Sequence, residues 1–191
     1  MKKIAIFTSG LSRGTNFKDI SNYIQQNELE IKIEYVIVTN PDAPIIDIAK
    51  KLKIRFVLLD GYSKLNYQLA NISEKYPVDL IVLAGFMRKL NKTFFNRIKT
   101  PVINIHPALL PKYGGKGMYG MKVHEAVFKN REKISGVTTH FVNEIYDDGK
   151  IIAQKECDIS MCKSSEEVAA KVLELEHELY PKIIIGLLWK K

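Results

Sequence analysis

Short apolar, β-rich runs alternate with amphipathic segments through the first hundred residues, and this alternation limits the fold more than any other feature. Lys3–Thr8, Ile31–Thr39, Arg55–Leu58, Leu80–Ala84 and Val102–Ile105 read as strands. Asn16–Gln26, with apolar Phe17, Ile20 and Tyr23, reads as a helix, as do Ile45–Leu52, Leu65–Tyr76 and Thr93–Ile98. Strands that are continuous apolar runs bury both faces, and strand–helix alternation at this spacing is the signature of a parallel sheet. The expected class is α/β: a Rossmann-like, mostly parallel twisted sheet with helices on both faces.

The pattern changes after His106. Pro107–Met121 is rich in Pro and Gly and reads as a functional loop. A short helix over Val123–Lys129 follows, then strands over Gly136–Asn143 and Ile151–Ile159, joined by EIYDDGK. A turn signal between two strands predicts an antiparallel C-terminal edge. Ser164 or Ser165 is placed to cap a last helix toward Leu188, with Glu166 and Glu167 in its first turn and Pro181 expected to kink or divide it. No linker composition interrupts the chain, so residues 1–191 are expected to form one domain.

Apolar residues make up 46% of the 191 and charged residues 26%, enough to bury a core without staples. No apolar run approaches the ~20 residues that span a bilayer. The start, MKKIAIFTSG, has too short an apolar segment for a signal peptide and leads into a Gly- and Ser-containing turn. The expectation is a cytoplasmic protein with no membrane partner. Cys157 and Cys162 lie at no metal-ligand spacing with histidines and are expected to be reduced and structural. The net charge of +8 fits either a lysine-rich solvated surface or anionic small-molecule ligands. Nucleic acid ranks last, because the basic residues are scattered, with lysine pairs at 2–3, 50–51 and 190–191 and no aromatic-interleaved stripe.

FTSGLSRGTNF, Phe7 to Phe17, leaves the first strand and opens the first helix. Glycines permit a tight turn, and a helix N-terminus offers free N–H groups, so the segment suits a mononucleotide-sized phosphate. Ser9, Ser12 and Thr15 add hydroxyls, Arg13 adds charge, and Asn16 is placed to cap. Neither GxGxxG nor GxxxxGK[ST] is present, and the alternative is an ordinary capped βα turn.

NIHPALLPKY, Asn104 to Tyr113, carries the sharper signal. Asn104 and His106 are spaced i and i+2, which puts both on one face of a strand. They stand at its carboxyl end, where open α/β sheets bind ligands, and Pro107 and Pro111 frame the exit. An imidazole beside a carboxamide can relay a proton and hydrogen-bond an oxyanion. Such a histidine needs a carboxylate to hold its tautomer and raise its pKa, and Asp147 and Asp148 in the EIYDDGK turn are the candidates. A satisfied core histidine is the plainer alternative. His124 and His140 read as packing or surface residues, with His140 able to back up the site, and His177 reads as structural. No HxH, HExxH or clustered carboxylate spacing points to a metal.

Together these features resemble the folate-dependent formyltransferases, and among them the GAR (phosphoribosylglycinamide) transformylases. The resemblance covers essentially the whole chain and is densest in DLIVLAGFMRKL, NIHPALLPKY and GVTTHFVNEIYDDGKIIAQ. NIHP alone would indicate only the wider superfamily. The resemblance implies direct formyl transfer from 10-formyltetrahydrofolate, as co-substrate, to the amine of GAR, with no metal or covalent enzyme intermediate. It makes Asn104 and His106 the catalytic pair and Asp147 the carboxylate that tunes the histidine. Gly14, Thr15 and Asn16 match the loop for the GAR phosphate, and Glu176 the glutamate at the ribose hydroxyls. Met87, Arg88, Lys89 and Leu90 match the segment lining the folate pocket, where Asn104 also takes part, and Lys64 falls where the family usually has an Arg. The implied partners are small molecules, with the chain a monomer or homodimer.

There are departures. SGLSRGTN is longer than the usual SGxGSN and adds Arg13, and Gly114 to Lys122 is a longer loop than in the commonest members. Leu173 stands where some members offer a polar side chain, and YDDGK replaces LDGGP. Formyl transfer to methionyl-tRNA and formyltetrahydrofolate hydrolysis are the rival readings, each normally accompanied by an extra domain. A non-catalytic sugar-phosphate-binding protein is the third.

Overall fold

The computed structural model describes residues 1–10, 14–59 and 64–189. Two compact units emerge, Met1–Ile103 and Asn104–Trp189. The first carries β1 (Lys2–Thr8), α1 (Thr15–Gln26), β2 (Ile31–Val38), α2 (Ile45–Lys51), β3 (Phe56–Leu58), α3 (Leu65–Lys75), β4 (Leu80–Leu83) and α4 (Lys92–Phe95). The strand β5 (Val102–His106) begins in it and ends in the second unit. The second adds α5 (Met121–Lys129), β6 (Ile134–Phe141), β7 (Ile151–Asp158) and α6 (Ser165–Trp189). Hydrogen-bonded strand order is β3-β2-β1-β4-β5-β6-β7.

In the first unit β1 pairs in parallel with β2 and β4, and β2 with β3. Ile4 to Phe7 are four consecutive residues with no exposed surface, which requires cover on both faces of the sheet. The Phe7 ring lies 5.7 Å from Phe86 and 6.3 Å from both Tyr35 and Phe94. Tyr35 is buried in this core, and its hydroxyl reaches Ser73 Oγ at 3.1 Å. Burial raises its phenol to about 12, so it stays neutral as a donor. In the second unit β6 and β7 are antiparallel, the edge read from the turn signal. The α/β class, mostly parallel with an antiparallel C-terminal edge, is as expected.

Two local expectations need correction. Asn16 does not cap α1: Gly14 holds the cap position at φ 70°, a left-handed turn that favours glycine, and Asn16 is the second helical residue. Pro181 does not divide the last helix, which runs unbroken from Ser165 to Trp189. Pro181 is buried in that helix, so packing of its ring compensates the missing N–H. The start of α6 is as read: Ser164 Oγ accepts from Glu167 N–H at 3.3 Å, and the Glu167 carboxylate accepts from Lys163 N–H at 2.8 Å. Among the described residues no helix is long and apolar enough to cross a membrane.

Two glycines in the second unit have opposite roles. A Cβ on Gly149 would stand 1.7 Å from the Phe141 carbonyl oxygen, so only glycine lets the β6–β7 turn close. Gly186 lies exposed in α6 with open space around it. Gly149→Ala should destabilise the fold by about 1–3 kcal/mol through overpacking against backbone. Gly186→Ala should stabilise by about 0.5–1 kcal/mol through helix propensity. Opposite displacements of the urea midpoint check both.

His124, on α5, is a second source of sequence-encoded stability. It is 6% exposed, its Nδ1 has no hydrogen-bond partner, and burial, with a smaller contribution from nearby His106, lowers its pKa to about 4. The native state keeps this ring neutral, whereas the unfolded chain takes up a proton below its ordinary value of about 6.5. The stability it contributes is therefore complete above about pH 6.5 and is lost as pH falls toward about 4. Over that window the loss approaches about 3 kcal/mol. Urea unfolding of the wild type should weaken steeply from pH 7 to pH 5, and His124→Phe should flatten that slope.

Candidate active site

Chain geometry brings Asn104, His106, His140 and Asp147 together within the second unit. β5 ends in Asn104, half-buried, and His106, 3% exposed. The segment after it is tied to β6. Thr138 Oγ1 accepts from Leu110 N–H at 3.0 Å and donates to the Ala108 carbonyl at 2.7 Å. Gln154 Nε2 donates to Thr138 Oγ1 and to the Leu110 carbonyl, each at 2.9 Å. These four bonds tie the exit of β5 to β6 and β7 and stiffen it.

Asp147 comes from the turn between β6 and β7. Its Oδ2 accepts from Gly115 N–H at 2.9 Å and lies 3.5 Å from His106 Nδ1. Its Oδ1 lies 3.6 Å from His140 Nε2. Asp148 points elsewhere, accepting from Asn143 Nδ2 at 3.3 Å. Of the two candidate carboxylates, Asp147 is the one that faces the imidazole. Burial pushes its carboxyl up, but His140, the His106 charge and the Gly115 amide together outweigh it and hold it below the usual range. Asp147 is thus a charged group in a site only 12% exposed.

The carboxylate does push the His106 pKa up, as expected, but the net shift is downward. Burial is the largest influence and lowers it; Asp147 and the Tyr113 carbonyl push it up without compensating. His106 Nε2 lies 2.7 Å from the Tyr113 carbonyl, which can only accept, so Nε2 carries a proton. In the neutral ring Nδ1 is then a free acceptor facing Asp147, which makes it a proton-accepting nitrogen beside a charge that stabilises the imidazolium.

His140, read from the sequence chiefly as packing, belongs to the cluster. Its Nδ1 donates to the Phe141 carbonyl at 2.8 Å, and its Nε2 stands between Asn104 Nδ2 at 3.2 Å and Asp147 Oδ1 at 3.6 Å. The first of these Nε2 contacts fixes the Asn104 amide and leaves its second N–H available. A register shift between Thr139 and His140 in the β6–β7 pairing sits at this point, as bulges often do beside sites. Tyr113, whose carbonyl holds His106, was also missed, because a backbone acceptor has no signature in residue type.

The remaining candidates lie outside this cluster. Gly14 begins α1, with its carbonyl accepting from Lys18 N–H, and Thr15 and Asn16 form the first helical turn. Ser12 and Arg13 lie outside the described residues. Ser9 Oγ accepts from Met87 N–H at 2.6 Å, tying the Gly-rich turn to the segment after β4. Met87 and Arg88 are half-buried and Lys89 exposed, while Leu90 is 3% exposed within the core. Lys64 is exposed and precedes α3 at φ 66°, and Glu176 is half-buried on α6. Among the described residues no group of three or more His, Cys, Asp or Glu could hold a metal ion.

Residues 2–184 match the family model described as Formyl transferase. The phosphoribosylglycinamide formyltransferase of Bacillus subtilis (strain 168) is 33% identical over 193 residues, covering 98% of this chain and 95% of that protein. The chloroplastic phosphoribosylglycinamide formyltransferase of Arabidopsis thaliana is 35% identical over 191 residues; the match covers 96% of this chain but 64% of that protein's length. The crystal structure of phosphoribosylglycinamide formyltransferase from Bacillus halodurans superimposes with a TM-score of 0.88 at 31% identity, over 99% of this chain and 96% of that one. An asparagine–histidine pair at the end of β5, a carboxylate delivered by the β6–β7 turn and this agreement over the whole described fold lead to one conclusion: the chain belongs to the formyl transferase family.

Proposed function

We propose that the chain is a phosphoribosylglycinamide formyltransferase, transferring the formyl group of 10-formyltetrahydrofolate to the amine of GAR within one domain spanning 1–191. The observation that carries this reading is the set of short contacts joining Asn104, His106, His140 and Asp147. Family membership and the names of the relatives supply the substrates. Gly14, Thr15 and Asn16 take the GAR phosphate at the N-terminus of α1, where free N–H groups and the helix dipole favour an anion. Glu176 takes the ribose hydroxyls. Met87, Arg88, Lys89 and Leu90 line the folate side, with Lys64 near it and Asn104 shared by both steps. The enzyme is cytoplasmic.

The amine attacks the formyl carbon, and the carbonyl oxygen becomes an oxyanion. The spare N–H of Asn104, held by His140, donates to that oxygen. His106 rests neutral and takes the proton released by the amine at Nδ1. The resulting imidazolium is balanced by Asp147 and by the Tyr113 carbonyl, and its charge opposes the oxyanion. On collapse the C–N bond to the folate breaks, and the folate nitrogen takes up the proton that His106 gives back, by way of water at Asp147. Nothing is consumed except the formyl donor and the amine.

Folate absorbance, followed with and without GAR, tests the reading. Turnover should require GAR. GAR-independent release of tetrahydrofolate would identify a hydrolase instead, and no turnover a binding protein. His106→Ala should lower kcat by roughly 10²–10⁴ and Asn104→Ala by roughly 10²–10³. A His106→Ala enzyme at full rate would remove the mechanism.

A further inference from the structure

We propose that Glu132 and the Tyr113 hydroxyl are positioning residues for His106, acting through the Tyr113 carbonyl. The proposal rests on the reading of His106 as the proton-carrying group. His106 is fixed at Nε2 by one bond, to a backbone carbonyl in the Pro- and Gly-rich loop. Where that carbonyl points depends on how Tyr113 is held. Tyr113 has φ 57°, a conformation that a bulky side chain keeps only when its surroundings enforce it.

The enforcement comes from both sides of the residue. The Tyr113 hydroxyl donates to Glu132 Oε1 at 2.9 Å, and Lys112 Nζ reaches the same oxygen at 3.1 Å. Glu132 stands in the short turn between α5 and β6, itself fixed by Arg131 N–H to the Phe128 carbonyl and Glu132 N–H to the Val127 carbonyl. Two residues after Tyr113, Gly115 N–H donates to Asp147 Oδ2. A Cβ on Gly114 would press to 2.4 Å from Leu110 Cδ2 and 3.3 Å from Asp147 Cβ. The peptide groups from 113 to 115 therefore span His106 and Asp147, and the phenol–carboxylate contact anchors their outer end. Tyr113 and Lys112 hold the Glu132 carboxyl below the usual range, so it stays an ionised acceptor.

Two other titratable groups act on the His106 imidazole: Asp147, which raises its pKa, and His140, which lowers it. A change at Glu132 that reaches His106 must pass through the loop, because Glu132 has no direct influence on the imidazole.

The test titrates His106 by ¹H–¹⁵N NMR in the substrate-free protein and measures kcat and both KM values. Tyr113→Phe and Glu132→Ala should each lower the His106 pKa, because the carbonyl that favours its protonated form is no longer held. Each should lower kcat about five- to tenfold, the worth of one hydrogen bond, with both KM values within about twofold. The double variant should be no worse than the poorer single one, as expected for one shared contact. Glu132→Gln keeps an accepting oxygen and should restore the titration toward that of the wild type. Unchanged His106 titration in both Tyr113→Phe and Glu132→Ala, or losses that multiply in the double variant, would overturn the proposal. Should Tyr113→Phe fail to fold, the contrast between Glu132→Ala and Glu132→Gln carries the same decision. The NMR titration reads positioning without substrate, so its failure is distinct from that of the transferase reading, which the GAR-dependent assay decides.

Discussion

The contact on which the site depends is the Asp147 carboxylate, held ionised where little water reaches it. An ionised carboxylate in such a place is costly unless its oxygens are paired. Here one oxygen takes the Gly115 amide and faces His106, and the other faces His140. The backbone is shaped to deliver it. Asp147 has φ 54°, a conformation that short polar residues accept more readily than most, and Gly149 two residues on makes room for the Phe141 carbonyl. One charge thus organises a loop, a turn and two imidazoles.

The two histidines are given different tasks by what their second nitrogens touch. Each donates to a backbone carbonyl, but through opposite nitrogens: Nε2 in His106 and Nδ1 in His140. Neutral His106 therefore presents Nδ1 to Asp147, and His140 presents Nε2 to Asn104 and Asp147. The first arrangement favours taking a proton. The second holds the Asn104 amide in place. Identical side chains in one cluster are distinguished by the main chain around them, so the strap of hydrogen bonds from Ala108 to Thr138 and Gln154 matters as much as the side chains it supports.

How much of this was legible in the residues follows from the kind of signal each feature leaves. Strand and helix alternation is a property of apolar period, and it located every strand and helix to within a few residues. Asn104 and His106 stood out because polar side chains at i and i+2 interrupt a buried strand. The same rule applied to β6 would have singled out Thr138 and His140, which are likewise two apart and fully or nearly buried. His140 reads from the sequence as packing able to back up the site, because it sits in a Thr-rich run that hides the interruption. Asp147 could not be separated from Asp148 by composition, since the choice depends on turn geometry. The direction of the His106 shift could not be read either: burial competes with a neighbouring charge, and their balance is a three-dimensional quantity.

Backbone acceptors are the deepest omission. The partner that decides the His106 tautomer is a carbonyl, and every residue has one. What can be read from the sequence is the set of residues able to place such a carbonyl. Tyr113 and Gly114 lie two and three residues past Pro111, and Gly115 adds an N–H that reaches the Asp147 carboxylate. A Pro- and Gly-rich loop next to a polar strand end is therefore informative about tautomer control as well as about flexibility. It supplies main-chain donors and acceptors at angles that regular structure cannot reach, and the side chains that hold it, such as Glu132, inherit part of the chemistry without touching a reacting atom.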